Sequence, residues 1–286
     1  MHNISILGIY CNNQKNPISS NKTTNIIEPT PFNEEINSCD NFITDAKTVS
    51  NRYLIKSTGD KYKFLALGKS IVDEFNSSYP NVKSSSMVDI QARQAKSHNP
   101  VYAAIMEKLA IKYTDKYVEM LENIPLSAYY SNDSYINKIK QNIQDYNLAN
   151  CGERAFLVQD ELNKKEIPNM VIEIGGKKNY QSHVFNVIGM DKNADSSNPD
   201  TYGDNAIVID TWLNKVMPFK EAVEFYHKYF LYDENGSKMT FTQDNLDEIR
   251  QTTIKDLKAI YEKKIGKPVS MEEFGKLTTK DIFAKG

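Results

Sequence analysis

The sequence predicts an α+β fold in which a helix opening at Cys151 packs on a small antiparallel β-sheet, with helical layers before and after it. Three observations carry this. Apolar residues recur at three- and four-residue steps from Lys61 to Leu148, and again beyond Pro218. Between these regions stand three short apolar runs of strand character, Met170 to Ile174, Ser182 to Met190 and Asn205 to Trp212. Turn-like connections between the runs favour antiparallel neighbours over crossovers.

Length and composition bound what the chain does. Its 286 residues suffice for one large or two small domains, and 25% charged and 40% hydrophobic residues with a net charge of -2 describe an ordinary globular protein. Lys+Arg 35 against Asp+Glu 37 leaves no basic excess, so nucleic acid is not an expected partner. No apolar stretch approaches the ~18 residues that cross a membrane. The apolar start Ile4 to Tyr10 is too short and lacks the basic lead of a signal peptide, so export by the general secretory route is not expected. Three cysteines, Cys11, Cys39 and Cys151, imply no disulfide framework and suit a reduced compartment. Without a CxxC or HExxH pattern, neither a metal nor a cofactor is expected.

Taken in order, residues 1–51 are rich in Asn, Ser, Thr and Pro and bury too little apolar surface to offset the entropy of ordering them. They read as a flexible N-terminal segment, and 52–286 as one domain with N-terminal helices over 61–148 and C-terminal helices over 218–284. Tyr62, Leu65, Ile71, Val72 and Phe75 mark the first helix, which Tyr79-Pro80-Asn81 stops. A shorter amphipathic piece follows over Met87 to Ala95. Pro100 opens a long helix whose inward face is Ile105, Leu109, Tyr113, Tyr117, Met120 and Leu121, ending before Pro125. Asp133 to Leu148 carries Ile136, Ile139, Ile143 and Tyr146. The Tyr and Met content of these stripes is core material.

The Cys151 helix runs to about Lys165 with Ala155, Phe156, Val158 and Leu162 turned inward, and Pro168 ends it. Gly175-Gly176 precedes Lys177-Lys178 and not a helix start, so a hairpin turn is expected there in place of a phosphate loop. Phe219 to Phe230 turns Ala222, Val223, Tyr226 and Phe230 to one face and leaves His227 on the surface. Asp244 to Ile265 is a charged amphipathic helix with a Leu246, Ile249, Ile254, Leu257 and Ile260 seam, and Ser270-Met271-Glu272-Glu273 is a capping box for a last short helix.

The chemistry concentrates at Asn150-Cys151-Gly152-Glu153. Asn150 is placed to cap the first turn and Glu153 to bond back to the cap's own N–H, which makes Cys151 the first helical residue. There the positive end of the helix dipole and unpaired N–H groups favour the thiolate. Most lone cysteines are small core hydrophobes, and a strand His or Asp is more often structural. Here the capping-box cysteine coincides with His183 opening one apolar strand and Asp210 closing another, the imidazole and carboxylate that a cysteine nucleophile needs. The predicted triad is Cys151, His183 and Asp210. Trp212 falls two residues after Asp210 on the same strand face and is expected both to anchor the core and to shield the His–Asp bond from water. Asn186 and Asn214 are polar candidates for the cleft lining.

N-C-G-E opening a helix, then H-V-F-N-V-I-G, then V-I-D-T-W resembles the papain-like and transglutaminase-like cysteine enzymes, in particular the proteases and glutamine deamidases that bacterial pathogens inject into host cells. The resemblance spans Tyr146 to Leu213 and follows that superfamily's order of Cys, His and Asp. It implies a papain-like/transglutaminase-like core, with Cys151 as nucleophile, His183 as general base and acid, and Asp210 orienting the imidazole. It further implies a protein substrate in a host cell, reached through a specialised bacterial secretion system for which the N-terminal segment is the signal. Two departures stand out: the oxyanion Gln of papain-type proteases corresponds to Asp145, with Gln144 one residue off, and the loop from Asp191 to Asp204 is long for a hairpin between the His and Asp strands. Attack on a peptide bond would cleave, attack on a Gln amide would deamidate, and a Lys amine in place of water would cross-link. The alternative is a non-catalytic binding module that engages a partner through its terminal helices.

Overall fold

The computed structural model describes residues 61–96, 99–175, 182–229 and 240–284. The segment 1–51, the hairpin beyond Gly175, the side chain of His227 and Phe230 lie outside the described residues. The architecture is α+β: α1 (Lys61–Ser78), α2 (Ser85–Ala95), α3 (Pro100–Glu122), a 3-10 turn (Leu126–Tyr130), α4 (Asn132–Tyr146) and α5 (Cys151–Lys164) precede the sheet. Strands β1 (Asn169–Gly175), β2 (His183–Ile188), β3 (Ile207–Asp210) and β4 (Lys215–Pro218) lead into α6 (Phe219–Tyr229), then β5 (Thr240–Asp244), α7 (Leu246–Ile265), α8 (Met271–Gly275) and α9 (Thr279–Phe283).

All strand pairings are antiparallel, in the order β4-β3-β2-β1-β5. The sheet is therefore wider than the three expected strands. Lys215–Pro218 is only four residues long, and β5 ends at Asp244, where the charge pattern predicts the start of the last long helix; both are fixed by pairing with a neighbour and not by their own pattern.

Period-two alternation divides the sheet into two buried faces. Val171, Val184, Ile188, Ile207 and Ile209 face the larger core, shared with Ala155, Val158 and Leu162 of α5 and with Leu67, Ile71 and Phe75 of α1. Ile172, Ile174, Phe185, Val187 and Val208 face the other way, onto Phe219, Ala222 and Tyr226 of α6. By the same parity His183, paired with Ile174, and Asp210, two residues beyond Val208, point to the α6 side.

Two glycines permit close approach. A Cβ at Gly68 would lie 2.7 Å from Val216 Cγ1, so α1 settles on β3 and β4 only because this position is bare. Gly189 ends β2 with φ +70°, and a Cβ there would lie 2.4 Å from the Asn205 carbonyl oxygen and 2.8 Å from Phe64 Cδ2. Gly189→Ala combines left-handed strain with a backbone collision and is expected to lower unfolding free energy by about 3 kcal/mol in urea titration. A loss under about 0.5 kcal/mol would contradict the tight β2–β3 connection.

The long helix departs from its predicted phase. Tyr117, Met120 and Leu121 are buried as expected, but Ile105 is 54% exposed, and Ala103, Met106 and Ala110 form the inward face of the first half. That half packs on α2, whose buried Ala92 and Ala95 admit a close helix pair and leave the bulkier side chains outside. In α7, Leu246 and Leu257 are buried while Ile260 is 39% exposed, so the seam closes before the helix ends. Among the described residues no helix is long and apolar enough to cross a membrane.

Candidate active site

The chain reaches the site through a short cross-link. Lys83 N–H donates to Asn147 O and Ala149 N–H to Lys83 O, both at 2.9 Å, pinning the lead-in to α2 against the lead-in to α5. Asn147 closes α4 in the left-handed conformation, φ 55°, which turns the chain toward Asn150. Asn150 and Glu153 form the expected capping box, with the Asn150 N–H donating to Glu153 Oε2 at 2.9 Å. The Tyr117 hydroxyl donates to the other Glu153 oxygen. Asn150 Oδ1 also accepts from Ser84 Oγ at 2.8 Å and Ser86 Oγ at 3.1 Å, so the start of α2 is tied to the start of α5.

Cys151 is thereby held as the first residue of α5 and stays partly exposed. A Cβ added at the neighbouring Gly152 would meet nothing within 4 Å, so the backbone beside the thiol borders open space. α5 lies on β1 and β2 with its first turn toward the end of β2 where His183 stands, and Asn186 Nδ2 anchors it there by donating to Ala155 O at 3.0 Å. Asn186 is 1% exposed; it fastens helix to strand and does not line a cleft as its polarity had led us to expect. Asn214 is exposed, with φ 58° in the β3–β4 turn, and its Oδ1 accepts from Asn76 at 2.6 Å. It is a turn residue. Gln144 and Asp145 are both exposed on α4.

The three triad candidates come together. His183 Nε2 lies 2.7 Å from Asp210 Oδ2, and Cys151 is near enough to act on the electrostatics of the imidazole. With Nε2 held by the carboxylate, any exchange of a proton with the sulfur falls to Nδ1. Burial alone would lower the His183 pKa, but the charge and hydrogen bond of Asp210, followed by the contributions of Cys151, raise it to about 10. Burial likewise opposes the charged form of Asp210, yet His183, Tyr226 and the Leu213 N–H hold its carboxyl below the ordinary range. Both directions describe one state, an imidazolium beside a carboxylate at neutral pH.

Asp210 is fully occupied. Its Oδ1 accepts the backbone N–H groups of Trp212 at 3.1 Å and Leu213 at 2.9 Å, and its Oδ2 accepts the Tyr226 hydroxyl at 2.6 Å beside His183. Tyr226 is 1% exposed, and burial followed by the Asp210 charge keeps its hydroxyl protonated, hence a donor, well above neutral pH. Around the ring stand Trp212 at 4.9 Å, Tyr226 at 5.3 Å and Phe185 at 5.9 Å between centroids. This aromatic wall excludes water from the ion pair and so strengthens it. Trp212 lies just past the strand end and not within it, and its Nε1–H donates to Ser84 Oγ at 2.7 Å, which makes it both shield and anchor.

Sequence reasoning missed Ser84, Arg154 and Tyr226 as parts of this site. Tyr226 was legible only as one apolar position of an amphipathic helix, and Ser84 stands 66 residues before Asn150. Arg154 is 7% exposed in a helix face otherwise read as apolar, an anomaly that the pattern Cys151-Gly152-Glu153-Arg154-Ala155 displays but does not explain. Among the described residues, no group of three or more His, Cys, Asp or Glu is arranged to hold a metal ion. Comparison of the chain with protein-family models, with curated proteins and with solved structures returned no match.

Proposed function

We propose that the chain is a cysteine-dependent acyl-transfer enzyme of papain-like or transglutaminase-like type that acts on a protein substrate through a thioester, as a protease or a glutamine deamidase delivered by a bacterium into host cells. The observation that carries the catalytic part is the union of a helix-start thiol with a buried imidazole whose far nitrogen is held by Asp210 at 2.7 Å. Delivery and host target rest on the motif resemblance alone.

In this reading the sulfur of Cys151 attacks the carbonyl carbon of an amide, forming the C–S bond, and the electron pair moves to oxygen. The Cys151 backbone N–H at the helix start is one donor for that oxyanion, a contribution of about 3 kcal/mol in comparable sites. His183 gives its Nδ1 proton to the leaving nitrogen as the C–N bond breaks. Water then attacks the thioester, His183 accepts its proton, and the thiolate returns as the acid is released. A peptide bond yields two fragments; a Gln side chain yields Glu and ammonia.

The test begins with the thiol. Iodoacetamide should alkylate Cys151 faster than Cys11 and Cys39 near neutral pH, and His183→Ala should slow that labelling by about 100-fold or more. Equal, slow labelling at all three cysteines would remove the enzymatic reading and leave a binding module. Intact-mass analysis of host lysate treated with wild-type or Cys151→Ala protein then separates fragments from the small mass gain of deamidation and from cross-linked species that have lost ammonia.

A further inference from the structure

Among the described residues, Arg154 is a buried cation with no ion pair to a carboxylate, and its hydrogen bonds go to backbone. Its Nε donates to Ala149 O at 3.1 Å, one amino group to Thr211 O at 3.0 Å and the other to Val82 O at 3.3 Å. Each carbonyl belongs to a different segment of the site. Val82 precedes the Ser84–Ser86 turn, Ala149 precedes Asn150 and Cys151, and Thr211 joins Asp210 to Trp212. The guanidinium also stands over the Phe75 ring at 5.5 Å, which seats it against α1. Only a planar fork with several fixed donors spans three such loops at once; an ammonium serves them as a point charge.

Arg154 also follows Cys151 by three positions on α5, so the two share one side of the first turn. Burial, the largest influence, lowers the Arg154 pKa, and the charges of Asp210, Glu153 and Cys151 act against it. A site holding a thiolate, an imidazolium and a carboxylate carries one excess negative charge, and a buried excess charge is costly unless compensated. We infer that Arg154 is the positioning residue of this site: its fork joins the three loops that carry Ser84, Cys151 and Asp210, and its charge balances the thiolate. This inference rests on the proposed cysteine chemistry and adds a fourth group to it.

Two substitutions separate fork from charge. In Arg154→Lys the charge remains and the three-way connection is lost; in Arg154→Met both are lost at similar length. With iodoacetamide at neutral pH, alkylation at Cys151 should fall about tenfold in Arg154→Lys and about 100-fold or more in Arg154→Met. The rate ratio of anionic iodoacetate to neutral iodoacetamide should stay near wild type in Arg154→Lys and drop several-fold in Arg154→Met, a change that loosened packing alone would not produce. Folding of each variant is checked by circular dichroism. Wild-type rates in Arg154→Met, or equal losses and equal ratios in both variants, overturn the inference. If Arg154→Met does not fold, Arg154→Lys decides: an unchanged rate, or a ratio shifted from wild type, overturns it. Wild-type protein labelled no faster at Cys151 than at Cys11 and Cys39 overturns the enzyme reading and this inference together, whereas intact wild-type labelling with indifferent Arg154 variants overturns the inference alone.

Discussion

Asp210→Asn is expected to reduce Cys151-dependent turnover by about 10³–10⁴-fold while leaving the fold in place. The size of the effect follows from where each oxygen is held. Oδ1 accepts two backbone N–H groups, from Trp212 and Leu213, so an asparagine must keep its carbonyl oxygen there. The amide nitrogen then occupies the place of Oδ2, facing His183 Nε2 and the Tyr226 hydroxyl. A donor at that point forces Nε2 to accept, which moves the ring proton to Nδ1. The imidazole then no longer takes the thiol proton, and the negative charge that stabilised its protonated form is gone as well. Alkylation kinetics at Cys151 and the rate of product formation should fall together. Turnover within tenfold of wild type would mean that the buried carboxylate does not set the tautomer of His183.

The second large effect is on stability against pH. The His183 pKa stands at about 10 in the folded protein against 6.5 for the free side chain, so the imidazole binds its proton more tightly when folded. Its contribution is then complete below about pH 6.5 and is lost as pH rises through the folded value near 10. Asp210 behaves oppositely: its folded value is depressed, so its share is present above the ordinary carboxylate range and is lost only in acid, as pH falls through that lowered value. Removing one member of a buried pair costs about 3–5 kcal/mol. His183→Gln should therefore lie below wild type by about that much near pH 6, with the gap closing toward pH 10 in urea unfolding followed across the range. A gap that stays constant from pH 6 to 10 would show that no imidazolium is present in the folded state.

The elements most legible in the sequence were those with a local cause. Pro100 opens α3, which ends before Pro125, Cys151 opens α5 behind a capping box, and Ser270 with Glu273 opens α8 in the same way. Short apolar runs placed the first three strands within two residues of where they stand. The phase of the first half of α3 was not legible, because the small residues of α2 decided which side of that helix was covered. Strands β4 and β5 were missed for a related reason: four or five residues have too little pattern to outweigh the turn and the charges around them, and pairing partners settle the matter.

What the sequence determined by itself was a cysteine at a helix start and the strand positions of an imidazole and a carboxylate, since capping and short apolar runs act over a few neighbouring residues. Only the tertiary structure decided that His183 meets Asp210 through Nε2, that Tyr226 holds the same oxygen, and that Arg154 fastens loops carrying Val82, Ala149 and Thr211. Those contacts join residues up to 72 positions apart, and their worth comes from desolvation, which exists only once the sheet is closed on both faces.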